Sequence, residues 1–145
     1  MMRLNYESGL LGPVATYMRR KGFRFQYPEL PFYEYSIDLY AYSQLKNLTV
    51  AVELKLYDWH RAFEQALLYQ LCSDWVFVAM PKRSFERIDL ALLARHRIGL
   101  LTVSDLGRCH QRLAPAYSKV VRSQYRNEYI EILKKVNSCP RRKCA

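Results

Sequence analysis

Val50-Ala51-Val52-Glu53-Leu54-Lys55-Leu56 sets two ionisable residues inside an otherwise apolar run. Val50, Val52, Leu54 and Leu56 give it the β-branched and leucine content of a buried strand. Side chains alternate faces along a strand, so Glu53 and Lys55 are expected to point the same way. A buried carboxylate beside a buried ammonium is costly unless both are paired or bound to something. Two arrangements meet that condition. One is a structural ion pair at a sheet edge; the other is half of a metal site whose second half lies upstream.

Upstream, Tyr33 to Tyr42 alternates as a strand. One face would carry Tyr33, Tyr35, Ile37, Leu39 and Ala41, and the other Glu34, Ser36, Asp38, Tyr40 and Tyr42. Asp38 is flanked by Ile37 and Leu39, an unusual place for an unpaired charge. Ser43-Gln44-Leu45-Lys46-Asn47 has hairpin length, so this strand and Leu48 to Leu56 become antiparallel neighbours. Asp38 then lies across from Glu53 and Lys55 if the registers agree. Further back, Leu10, Leu11, Val14, Ala15 and Met18 follow helical spacing within Tyr6 to Arg20. Pro13 is expected in that helix's first turn and Gly22 at its C-terminal cap. Phe23 to Tyr27 reads as a first strand and Pro28-Glu29-Leu30-Pro31 as a turn.

Downstream, Asp58 is a natural N-cap for a helix from Trp59 to Cys72, on which Gln65 and Tyr69 stand one turn apart. Trp75 to Met80 is a continuous apolar strand, as expected of one buried on both faces. Ser84 to His96 reads as a helix, Ile98 to Val103 as another buried strand, and Arg108 to Leu113 as a short edge strand. Ser118 to Val136 is a last helix, and residues 138–145 a basic tail expected to be disordered. The order predicts an α/β fold in a single domain over residues 1–137. An early meander and later strand-helix-strand crossovers give one mixed sheet flanked by helices.

A chain of 145 residues is one ordinary domain, and a formal charge of +10 favours a polyanionic partner, most simply nucleic acid. A basic protein without such a partner has the same composition. No apolar run reaches membrane-span length, and the N-terminal residues lack a signal-peptide core, so no membrane is involved and a cytoplasmic location is expected. Cys72, Cys109, Cys139 and Cys144 then read as reduced thiols. A zinc clip joining Cys139 and Cys144 to Cys109 and His110 is disfavoured by its loose spacing. His96 and His110 have no partner at ligand spacing. Arg141, Arg142 and Lys143, with Lys134 and Lys135, form either a phosphate-contacting patch or a solvated tail. Arg61 leans to a phosphate contact at its helix N-terminus, whereas His60 reads equally as part of an exposed turn. Arg19, Arg20, Lys21 and Arg24 suit a helix C-terminus and need no DNA.

Asp38, Glu53 and Lys55 suit phosphodiester hydrolysis. That reaction needs a divalent cation to offset charge on the phosphate and to acidify a water. Mg²⁺ (or Mn²⁺) takes hard oxygen ligands, so Asp38 and Glu53 would bind it, with the Leu54 carbonyl as a third oxygen. Lys55 would orient the attacking water and stabilise developing negative charge.

Asp38 followed by Glu53-Leu54-Lys55 on the next strand, within an α-β-β-β-α-β order, resembles the PD-(D/E)XK nuclease superfamily. Gln65-Ala66-Leu67-Leu68-Tyr69 is similar to the Gln-x-x-x-Tyr helix of its RecB-type branch. The resemblance runs over about residues 7 to 105, and Ser36-Ile37 stand where some members have a proline before the aspartate. It implies a restriction-endonuclease-like core and metal-dependent cleavage of DNA. It also implies that Gln65 and Tyr69 contact the site or substrate, and that Glu7 adds an acidic metal ligand from the first helix. The four-cysteine iron–sulphur cluster of some members is not expected. A chain this small would act as a homodimer or within a larger nuclease assembly to cut both strands. The competing expectation is a catalytically silent nucleic-acid-binding or assembly module on the same fold.

Overall fold

The computed structural model describes residues 6–138. Residues 139–145 of the basic tail, with Cys139 and Cys144 and therefore the zinc-clip alternative, lie outside the described residues, whereas Ser138, expected in that tail, ends the last helix. Helix α1 (Ser8–Arg20) leads into β1 (Phe25–Phe32), β2 (Tyr35–Ser43) and β3 (Leu48–Leu54). Then come α2 (Trp59–Tyr69), β4 (Trp75–Pro81), a 3-10 turn (Lys82–Arg87) and α3 (Leu90–Arg95). The chain continues through β5 (Gly99–Val103), β6 (Cys109–Leu113) and α4 (Ser123–Ser138). The strands form one six-stranded sheet in sequence order. β1, β2 and β3 are antiparallel, β3, β4 and β5 run parallel, and β6 returns antiparallel. The expected mixed α/β sheet is therefore present. No helix among the described residues is long and apolar enough to cross a membrane.

Each face of the sheet is covered. Leu10, Val14 and Met18 of α1 pack with Leu39, Val50, Val52, Phe77 and Leu101. On the opposite face Ala66 and Tyr69 of α2, Leu93 of α3 and Leu133 of α4 pack with Tyr40, Ala51 and Val78. Every residue of β3 is buried, which explains its nearly unbroken apolar sequence. Gly22 ends α1 at φ 97°, with the Phe23 N–H bonded to the Met18 carbonyl and the Gly22 N–H to the Arg19 carbonyl. A residue with a side chain would be strained there.

Several boundaries differ from expectation. Pro13 sits inside α1 rather than in its first turn. The helix gives up one backbone bond there, while its apolar stripe stays buried on both sides of the proline. Pro28 and Pro31 belong to β1 and do not form a turn; the reversal comes after Phe32. An edge strand tolerates proline because one side of its backbone has no strand to bond. That side is covered by α4: Asn137 accepts from the Gln26 N–H and donates to the Gln26 carbonyl, both at 3.1 Å. The expected Ser84–His96 helix is broken at Ile88-Asp89, where the Asp89 carboxylate caps the Leu92 N–H at 3.1 Å. The last helix begins at Ser123 rather than Ser118, and Ser118 instead bonds the carbonyls of Gln70 and Asp74.

Asp74 ties three elements together. Its carboxylate accepts from the Thr49 N–H at 2.9 Å, the Thr49 hydroxyl at 3.0 Å and Arg126 Nε at 2.9 Å. Arg126 also donates to the Asn47 carbonyl at 2.8 Å. The start of β3, the entry to β4 and the first turns of α4 are thus joined through one half-buried ion pair.

Candidate active site

β2 and β3 separate where their charged residues meet. Their last paired residues are Leu39 and Val52. The next rung would join Ile37 to Leu54, but the Leu54 N–H instead donates to Asp38 Oδ2 at 2.7 Å. On its other side β3 stays in register with β4, and the Lys55 N–H bonds the Ala79 carbonyl at 3.0 Å. β3 is therefore held by one neighbour and open toward the other. The N–H and C=O of a strand residue point to the same side, so the Leu54 carbonyl faces the gap that Asp38 enters.

The gap coincides with a twist in β2. Leu39 and Ala41 pack in the α1-side core, whereas Ile37 packs in the opposite one. The sequence had put all three on one face. The partner position on β1 is Glu29, held at φ 55° between the Pro28–Leu39 and Leu30–Ile37 pairs. Distortion in the edge strand and the change of face in β2 thus occur together at Asp38.

Glu53 is 4% exposed, and its Oε1 accepts from the Tyr69 hydroxyl at 2.9 Å. That hydroxyl also lies 3.3 Å from the Ser36 carbonyl, a backbone contact with no side-chain signature in the sequence. Asp38 is close enough to Glu53 for their carboxyls to share a hydrogen bond. Burial, reinforced by the Asp38 charge, pushes the Glu53 carboxyl up to about 8. Burial raises Asp38 too, with Glu7 adding to it, while the Leu54 N–H, Glu53 and Lys55 oppose the rise. Near neutral pH the two buried carboxyls hold a proton between them.

Lys55 is one residue past the end of β3 and only partly buried. Its Nζ is 4.0 Å from Glu7 Oε2 at the start of α1, and it lowers the pKa of both carboxyls. Glu7 thus lies against Lys55, and its charge also reaches Asp38. Among the described residues no group of three or more His, Cys, Asp or Glu side chains is placed to hold a metal ion. Gln65 lies one turn before Tyr69, and its buried Oε1 has no hydrogen-bond partner. Both residues of the Gln-x-x-x-Tyr pair are present, but only Tyr69 is bonded to the site.

These features fit a hard divalent cation. Two carboxylates sharing a proton are stabilised when a cation replaces that proton. The Leu54 carbonyl adds a neutral oxygen donor of the kind Mg²⁺ accepts.

Other predicted residues lie apart or play structural parts. His60 stacks on Trp59, and His60 and Arg61 line an open groove beside Gln65. Lys134 lies over the Tyr42 ring, toward the end of β2 remote from Asp38. His96 packs on Phe63, and Cys72 and Cys109 carry unbridged thiols.

The raised Glu53 pKa makes stability depend on pH. Between about pH 4.5 and about 8 the folded chain binds this proton more tightly than the unfolded chain. The contribution is complete below the unfolded value and is lost as pH rises through the folded one. In EDTA, urea denaturation should therefore show stability falling from about pH 5 to about pH 8.5, by on the order of 3–5 kcal/mol. Glu53→Gln should flatten that slope. The same slope in both proteins would assign it to other groups.

No family model matches the chain, and no curated protein matches it. Among solved structures, a protein of unknown function from Silicibacter pomeroyi superposes with a TM-score of 0.67 at 20% identity. The match covers 89% of this chain and 84% of that one. It is a likeness of fold alone.

Proposed function

We propose that the chain is a metal-dependent nuclease of the PD-(D/E)XK type, built on a restriction-endonuclease-like core and hydrolysing phosphodiester bonds in DNA. The observation that carries this reading is the Asp38–Glu53 carboxyl pair in the opening between β2 and β3, with Lys55 beside it. A structural ion pair needs one carboxylate for one ammonium. Here a second carboxylate is buried at the same place, and burial raises the pKa of both. The net charge of +10 suits a polyanionic substrate.

Asp38 and Glu53 would hold Mg²⁺ or Mn²⁺, with the Leu54 carbonyl as a further ligand. When bound, the ion supplies charge neutralisation at the phosphate and acidifies a water. The chain's own residues do the rest. The Leu54 N–H fixes one Asp38 oxygen, so that carboxylate is oriented before any ligand arrives. The Tyr69 hydroxyl fixes Glu53 in the same way. The Lys55 ammonium orients the attacking water and stabilises the negative charge that develops on the phosphate oxygens. Gln65 offers its unpartnered carbonyl oxygen to the substrate or to a water.

Cleavage of labelled DNA should require Mg²⁺ or Mn²⁺, stop with EDTA and be lost in Asp38→Asn. Calorimetry should show divalent-cation binding to the wild type, weakened by about 10-fold or more in the variant. DNA binding without metal binding or cleavage would instead favour a catalytically silent module.

A further inference from the structure

Three exposed tyrosines are close in sequence to residues of the candidate site or to their partners. Tyr57, 63% exposed, follows Lys55 by two positions, and Tyr6, 75% exposed, precedes Glu7. Tyr35, 40% exposed, adjoins Ser36, whose carbonyl meets the Tyr69 hydroxyl. A large ring left in water loses the stabilisation that burial would bring, and these three adjoin site residues or their partners along the chain.

The charges around these rings are unevenly divided. Beyond Lys55 the Ser84 hydroxyl bonds the Leu56 carbonyl at 2.9 Å, which ties the 3-10 turn Lys82–Arg87 to the segment leaving β3. That turn carries exposed Lys82, Arg83 and Arg87, with one exposed acid, Glu86, among them, and the Arg83 guanidinium is 5.8 Å from the centre of the Tyr57 ring. On the other side an open groove of about 610 Å³ is lined by Tyr35, His60, Arg61, Gln65, Asp58 and Glu64. Its two carboxylates outnumber its one arginine, so it does not favour a phosphate chain. Its rings and amide suit the flat, hydrogen-bonding surface of a base.

We propose that the site takes single-stranded DNA, with phosphates passing Lys55 along Lys82 and Arg83 and with bases stacked on Tyr57 and in the Tyr35 groove. Bases in an intact duplex are stacked on one another and cannot receive a side-chain ring; an unpaired strand can. A basic track beside aromatic platforms is the general arrangement for holding such a strand. The proposal takes its location from the nuclease reading and adds the form of the substrate.

Fluorescence anisotropy tests it on the full chain in EDTA, with a labelled oligonucleotide offered either single-stranded or annealed to its complement. The single strand should bind about 10-fold or more tightly than the duplex. Tyr57→Ala and Tyr35→Ala should each weaken single-strand binding by about 5- to 100-fold, with duplex binding nearly unchanged. Both rings are solvent-exposed, so folding is not at risk, and Tyr57→Trp should retain affinity. A preference for duplex, or indifference to both alanine variants, would overturn the proposal; the hydrolytic site would still stand if metal-dependent cleavage persisted. Tight, tyrosine-dependent single-strand binding without any cleavage would support the stacking surface and remove the nuclease reading.

Discussion

Lys55→Ala is expected to lower the metal-dependent cleavage rate by about 10²- to 10⁴-fold, the range for losing a group that handles a proton or a developing charge. Metal binding should stay within a few-fold of wild type, because Lys55 lies beside the carboxyl pair and contributes no oxygen ligand. The loss should fall on kcat, since charge on the phosphate oxygens grows as the transition state is approached. Lys55→Arg should not restore the rate. The guanidinium keeps the charge but spreads it over a rigid fork on a longer stem. Lys55 also moderates the pKa rise of Asp38 and Glu53. In the alanine variant the pair should hold its proton to higher pH, and the pH at which metal begins to bind should rise. An unchanged rate in a folded Lys55→Ala protein would remove this residue from the mechanism.

Asp74→Ala should be the most damaging change outside the site. It leaves Arg126 without its carboxylate and the Thr49 N–H without its acceptor. Breaking one side of a buried ion pair costs about 3–5 kcal/mol, and this pair keeps some exposure, so about 3 kcal/mol is expected. The melting temperature would fall by roughly 10 °C for a domain of this size. Asp74→Asn should lose less, since its amide oxygen can still accept one of these bonds. The double variant with Arg126→Ala should be less destabilised than the sum of the two single changes, because each alone strands the other's partner. A loss of under about 1 kcal/mol for Asp74→Ala would show that the network contributes little.

Much of the sheet was legible because burial leaves a plain mark. β3, β4 and β5 are mostly apolar, and a run of that kind beside short polar connections has few alternatives. Asp38 and Glu53 stood out for the complementary reason, as carboxylates inside apolar strands. What escaped notice depended on tertiary context. Pro28 and Pro31 looked like a turn because the sequence does not reveal which strand will be an edge. Pro13 looked like a helix start because local propensity favours it there, but the buried stripe of α1 extends to Leu10. The change of face at Asp38 coincides with the backbone distortion at Glu29, one strand away, and no periodicity in β2 records it. Glu7 was expected beside the carboxylates, and spacing alone could not tell that it would lie against Lys55. The Tyr69 contact was implied only by the resemblance to the Gln-x-x-x-Tyr helix, while the Ser36 carbonyl beside it carries no side-chain signal.

The Asn137 clamp on Gln26 has a consequence for how copies of the chain can meet. Pro28 has no N–H to donate, and the Tyr129 hydroxyl takes the Pro31 carbonyl at 2.6 Å. The β1 margin is therefore closed to strand addition, while β6 forms the opposite margin. A sheet sealed on one side can lengthen only from the other. Two copies joined through β6 would leave a sealed margin at each end, so growth by sheet extension terminates at a pair and cannot run on into a fibre.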